Sequence, residues 1–95
     1  MLLIEDTSMQ REAFVSDLAK AGFPEPTMVM RKAGTSEEHS HDFDARILVI
    51  DGEIRIRIGD DERMYTAGDA FYLPAHVRHA ERYGANGVQF LLSTR

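Results

Sequence analysis

The stretch Ile47-Leu48-Val49-Ile50-Asp51-Gly52-Glu53-Ile54-Arg55-Ile56-Arg57-Ile58 decides the class of the fold. Its first four residues are apolar on both faces, as in a strand covered from both sides. Its last six alternate strictly, with three isoleucines on one face and Glu53, Arg55 and Arg57 on the other. Between the two halves, Asp51-Gly52 predicts a turn, because Asp and Gly tolerate the backbone angles that turns require.

The same texture continues outward. Thr27 to Arg31 reads as a strand, as do Glu62 to Thr66, Ala70 to Leu73, about Arg78 to Tyr83, and Val88 to Ser93. Gly59-Asp60-Asp61, Ala67-Gly68-Asp69 and Gly84-Ala85-Asn86-Gly87 supply the turns between them. Short strands at this spacing argue for a sandwich or barrel. Upstream, the pattern changes to a helix from about Thr7 to Ala21. Thr7 and Gln10 have capping-box spacing, and Met9, Phe14, Leu18 and Ala21 recur at helical intervals. Lys20, Gly22 and Pro24 then give a stop signal.

A chain of 95 residues has room for one domain. The expected organisation is a single domain over 1–95, with the helix at about 7–21 and a barrel at about 27–94. The formal net charge is −5, and nine of the eleven basic residues are scattered arginines. No concentrated positive stripe is present to bind phosphate backbones, so nucleic acid is not an expected partner. No apolar run approaches a membrane span, and the Met1-Leu2-Leu3-Ile4 start lacks a basic leader, which leaves the cytoplasm as the expected location. With no cysteine, disulfides, thiolate metal sites and a Cys nucleophile are excluded. Any metal must be held by imidazole and oxygen.

All four histidines fall in the β region, as His39-Ser40-His41 and His76-Val77-Arg78-His79. On a strand, residues i and i+2 share a face, so His39 and His41 can aim both rings at one point. Such a pair alone is often two surface histidines in a loop. A third imidazole from the second cluster would make a metal site with positions open for water or substrate.

The stretch Gly34-x4-His39-x-His41-x4-Arg46-x5-Gly52 resembles the first signature of the cupin superfamily. Gly68-Asp69-x4-Pro74-x-His76-x2-His79 resembles the second. The resemblance implies a mainly β fold, a double-stranded β-helix or jelly-roll-like barrel with the N-terminal helix packed outside. It also implies that His39, His41 and His79 bind a divalent ion such as Fe, Mn, Ni or Zn. Gly52 and Gly68 match the turn glycines. Two residues depart from the pattern. Arg46 stands where the family usually has a fourth ligand, Glu, and a guanidinium has no lone pair to give. His76 stands where the family usually has Gly. The site is therefore expected to contain three imidazoles, or to be completed by His76, by Asp42, Asp44 or Glu81, or by water.

Arg46 would bind an anionic ligand if it faced inward, or join a salt bridge if not. Phe43, Met28, Met30, Tyr83 and Phe90 are candidate pocket walls, although such residues are more often plain core. The expected activity is that of a small metal-dependent enzyme, of oxygenase or isomerase type, acting on a small polar molecule. The alternative is a non-catalytic module that binds or senses a small ligand. The two-faced apolar strand at Ile47 to Ile50 predicts a homodimer that buries a sheet face.

Overall fold

The computed structural model describes residues 7, 8 and 10–95. Eight elements follow one another: β1 (Thr7–Ser8), α1 (Arg11–Lys20), β2 (Thr27–Arg31), β3 (Gly34–Thr35), β4 (Ala45–Ile58), β5 (Asp61–Thr66), β6 (Asp69–Leu73) and β7 (Ala80–Thr94). All strand pairings are antiparallel. The hydrogen-bonded order is β1-β6-β4-β7-β2, with β3 added on β7 and β5 on β4.

The two long strands β4 and β7 form the backbone of the sheet. In β4 the inward side chains are Ala45, Ile47 and Val49, and then Ile54 and Ile56. The inward residues thus change from odd to even numbers. A regular strand cannot do this, so extra backbone must be absorbed between the halves. It is absorbed at Asp51-Gly52, where the β4–β7 register shifts on both sides. The expected turn there is instead a bulge in one continuous strand. Gly52 has φ 80°, and a Cβ on it would collide with the Gly87 carbonyl. Glycine with positive φ serves a bulge as readily as a turn, which is why the sequence did not separate the two. Gly84–Gly87 is likewise a bulged part of β7 and does not divide it into two strands.

The inward residues of β4, with Tyr65, Phe71, Leu73, Val88 and Phe90, make one core. A second core lies on the other side of the sheet, where Phe14 and Leu18 of α1 meet Phe23, Leu48, Ala70 and Leu91. Both faces of the Ile47–Ile50 segment are therefore covered within one chain. Leu48 on its outer face is 2% exposed beneath the helix. The helix begins at Arg11 after an extended Gln10 with no side-chain cap, not at Thr7. Thr7 instead pairs with Ala70 at the sheet edge, so no capping box forms. Met9 of the expected apolar stripe lies outside the described residues. Among the described residues, no helix is long and apolar enough to cross a membrane.

Candidate metal centre

The ladder between β3 and the start of β7 positions the site. Gly34 faces Tyr83, Thr35 faces Arg82, and the Ser36 amide donates to the Glu81 carbonyl. The ladder continues as a bridge between His39 and His79, each amide donating to the other's carbonyl at 2.8 Å. His39 and His79 are thus cross-strand neighbours, with ring centroids 4.4 Å apart. The third imidazole expected from the second cluster thus comes from the strand bridge beside His39.

His41 lies beyond the bridge, in irregular backbone. Its carbonyl accepts the His76 amide, and its ring stacks on Phe43 at 4.7 Å. Its ring centroid is 4.8 Å from that of His39 and 5.4 Å from that of His79. Two residues after His79, on the same face of β7 by the period of a strand, comes Glu81. Its Oε2 lies 3.3 Å from His39 Nε2 and 3.4 Å from His79 Nε2. One donor atom from each of His39, His41, His79 and Glu81 lies within 4.8 Å of all the others.

Backbone carbonyls settle the orientation of two of the rings. His39 Nδ1 is 2.7 Å from the Glu37 carbonyl, and His79 Nδ1 is 2.9 Å from the Val77 carbonyl. A carbonyl can only accept, so each Nδ1 carries the proton and each neutral ring turns an Nε2 lone pair toward Glu81. His79 Nε2 is buried without a hydrogen-bond partner. Lone pairs facing a carboxylate repel it unless a proton or a metal cation lies between them. The electrostatics report that tension. Burial lowers the pKa of His79, but Glu81 and the Val77 carbonyl outweigh it and the net shift is upward. Burial raises Glu81, and His79 and Tyr83 outweigh it and hold the carboxyl below its usual range. His41 is lowered, first by burial and then by the two neighbouring imidazoles.

The donor set fits a divalent ion. In a tetrahedral site with bonds of about 2.0–2.1 Å, neighbouring ligand atoms lie about 3.3–3.4 Å apart, which is the separation of Glu81 from both Nε2 atoms. Two ligands of one ion stand at most about 4.2 Å apart when opposite and about 3.4 Å apart in a tetrahedron, so a pair as wide as 4.8 Å has to draw in by about 0.6 to 1.4 Å when an ion binds. Imidazole and carboxylate donors without thiolate suit Fe, Mn, Ni or Zn.

The four residues line one end of a cavity of about 390 Å³. Its walls are mainly apolar, with Ile47, Ile54, Ile56, Phe71 and Phe90 among them. Phe43, Tyr83 and Phe90, candidate walls in the sequence, are among its lining residues. Arg31 and Ser36 also line it and were not anticipated. The Tyr83 hydroxyl donates to Glu81 Oε1 at 3.1 Å. Burial and Glu81 raise the Tyr83 pKa, opposed by the neighbouring Arg31 charge, so the phenol stays protonated.

Four expected residues lie elsewhere. His76 is exposed and outside the cluster, with φ 69°, a left-handed backbone that favours glycine. This accounts for the family's usual Gly at that place. Among the described residues, Arg46 neither lines the cavity nor makes the expected salt bridge. It alternates with the inward Ala45 and Ile47, so its guanidinium stacks on the other face between Phe23 at 5.0 Å and Tyr72 at 4.6 Å. Met28 and Met30 are 44% and 65% exposed, because the inward face of β2 belongs to Val29 and Arg31. Of the acids offered to complete the site, Asp42 is exposed and Asp44 accepts the Ala75 amide at 2.8 Å, which leaves Glu81.

No curated protein matches the sequence. Solved structures do match. A DUF861 family protein from Thermotoga maritima superposes with a TM-score of 0.71 at 12% identity, covering 94% of this chain and 96% of that one. The Clostridium difficile EutQ protein gives 0.63 at 16% identity, covering 96% of this chain and 61% of that one. An RmlC-like cupin from Shewanella frigidimarina gives 0.59 at 25% identity, covering 74% of this chain and 65% of that one. At these identities the likeness is one of fold. The profile of the cupin domain matches residues 26–88. That span is well over half of the sequence and contains every residue of the cluster, and the chain belongs to the cupin family.

Proposed function

We propose that His39, His41, His79 and Glu81 hold one divalent metal ion, and that the protein is a metal-dependent enzyme acting on a small molecule in the adjoining cavity. The observation that carries this reading is the convergence of the four donor atoms, with His79 Nε2 buried, making no well-formed hydrogen bond and facing the Glu81 carboxylate at 3.4 Å. A buried polar atom left unsatisfied costs about 1–3 kcal/mol, and a metal ion between the two groups, like a proton on Nε2, removes that cost. When bound, such an ion supplies Lewis acidity or, if redox-active, oxygen activation, as an isomerase or oxygenase requires. The chain's own residues have separate tasks. The Glu37 and Val77 carbonyls fix the tautomers of His39 and His79, and Tyr83 orients Glu81. The apolar walls exclude water from the ligand.

A second reading, a binding or sensing module, is favoured by the sparse polar lining, to which, among the described residues, only Arg31, Ser36 and Tyr83 add polar side chains beyond the four cluster residues. On either reading we infer that the strands close into a jelly-roll barrel around the cavity. The homodimer expectation no longer rests on Ile47–Ile50, which α1 covers. What supports it is exposed Met28 and Met30 on β2, at the end of the strand order. A cytoplasmic location remains our expectation from the sequence.

Dialysis against Fe, Mn, Ni and Zn followed by elemental analysis tests the metal reading. One equivalent should be retained by the native chain and most of it lost in His41→Ala, with the fold intact. Equal retention by both proteins contradicts it.

A further inference from the structure

The cavity is strongly asymmetric. The polar side chains are the His and Glu cluster, Tyr83 beside Glu81, Arg31 beside Tyr83, and Ser36, and the rest of the wall is isoleucine, leucine, phenylalanine and Ala45. Arg31 is the one permanent cation among its described lining residues. It reaches that place because it shares the inward face of β2 with Val29. Its Nη1 donates to the Met30 carbonyl at 3.1 Å and the guanidinium also hydrogen-bonds the Tyr83 hydroxyl, and among the described residues no carboxylate forms an ion pair with it. An arginine has five N–H donors in a planar fork, so donors beyond these two contacts remain for a guest.

We propose that the ligand is a small monocarboxylate with an apolar body, its carboxylate held at the rim by Arg31 and its hydrocarbon portion lying among Ile54, Ile56, Phe71 and Phe90. Three features point the same way. The guanidinium fork matches a carboxylate in two parallel bonds. A phosphate, with more charge and more acceptors, calls for several cations or a nest of amides, and the rim offers one arginine. The apolar walls exclude a fully polar guest such as an unsubstituted sugar, which would bury hydroxyls without partners. The cavity of about 390 Å³ holds roughly a dozen water-sized groups at about 30 Å³ each, which bounds the size of the guest. The proposal rests on the metal reading in one respect. With a divalent ion in the cluster, positive charge at the rim outweighs the Glu81 carboxylate, and an anion is favoured.

The test is calorimetric titration of the zinc-loaded native chain with straight-chain monocarboxylates from butanoate to octanoate, with octanamide, and with inorganic phosphate. Octanoate should bind at least tenfold more tightly than octanamide, the contrast between a charge-assisted fork and a neutral contact. Affinity should rise about threefold to fourfold per methylene until the cavity is filled, as expected for burial of a CH₂ group. Arg31→Gln should lose about tenfold or more toward octanoate and leave octanamide and zinc binding unchanged. Octanamide matching octanoate, full affinity in Arg31→Gln, or no binding by any carboxylate overturns the proposal. Displacement of octanoate by equimolar phosphate overturns the carboxylate assignment. Zinc content measured on the same samples keeps the two questions apart. If the native chain takes up no zinc, the metal reading fails, and the carboxylate–amide contrast on the metal-free protein still decides this one.

Discussion

Removing one oxygen atom tests whether Tyr83 acts through Glu81. In Tyr83→Phe the ring keeps its place in the cavity wall, and the only group lost is the hydroxyl that donates to Glu81 Oε1. A hydrogen bond to a charged acceptor is worth about 1.5–3 kcal/mol. This one is 3.1 Å long, beyond the best O–H···O range, and only partly buried, so the low end of about 1.5 kcal/mol applies. At about 1.4 kcal/mol per tenfold, the variant should bind zinc about tenfold more weakly. That agrees with the 10–100-fold cost of removing groups that orient metal ligands. The assay is competition against a chromophoric chelator at constant pH, run as a double-mutant cycle with Glu81→Gln. Because the hydroxyl is held to act only through the carboxylate, Tyr83→Phe should change affinity less than about twofold in the Glu81→Gln background. Equal losses in both backgrounds, or no loss in either, refute the reasoning.

Three further outcomes are expected. In metal-free protein, His79 has a raised folded pKa, so its contribution to stability is present below the ordinary imidazole value of 6.5 and is lost as pH rises through the folded value. Melting temperature should therefore fall from pH 6.5 toward 8 with chelator present and rise with zinc present, since metal and proton compete for Nε2; parallel slopes in the two scans would falsify this. His76→Gly removes a left-handed histidine at φ 69° whose ring lies outside the cluster. It should stabilise the fold by about 0.5–1 kcal/mol, several degrees in melting temperature, after the added unfolded-state freedom of glycine is deducted, and leave zinc affinity alone. A lower melting temperature means that the His76 side chain contributes something the backbone argument omits. Sedimentation equilibrium should find a dimer that Met30→Asp dissociates, and a monomer at every concentration removes the homodimer.

Much of this architecture was legible because strand periodicity is a strong signal. The three inward isoleucines of Glu53–Ile58 and the limits of β2 follow directly from alternation. The convergence of His39 and His41 was inferred from the same rule, although their backbone is less regular than the rule assumes. Applied once more, that rule would have chosen Glu81, two residues from His79, over Asp42 and Asp44. The sequence was silent where an element's phase depends on the rest of the sheet. Nothing local tells a bulge at Asp51-Gly52 from a turn, and only the changed parity of the inward residues reveals it. Hydrophobicity placed Met28 and Met30 inward and left Arg31 out. The observed phase is the reverse, because a cavity rim tolerates a cation that a packed core would not. Thr7 had the spacing of a cap, but pairing with Ala70 in the sheet takes its place.

The most direct test of the central claim is X-ray absorption spectroscopy at the zinc edge on protein carrying one equivalent of zinc. The account predicts three imidazole nitrogens at about 2.0–2.1 Å and a carboxylate oxygen at about 2.0–2.2 Å. One imidazole should be lost in His79→Ala, and the carboxylate should be lost in Glu81→Gln. A shell of oxygen alone, or a spectrum unchanged in both variants, places the ion elsewhere and contradicts the assignment of this cluster as the metal centre.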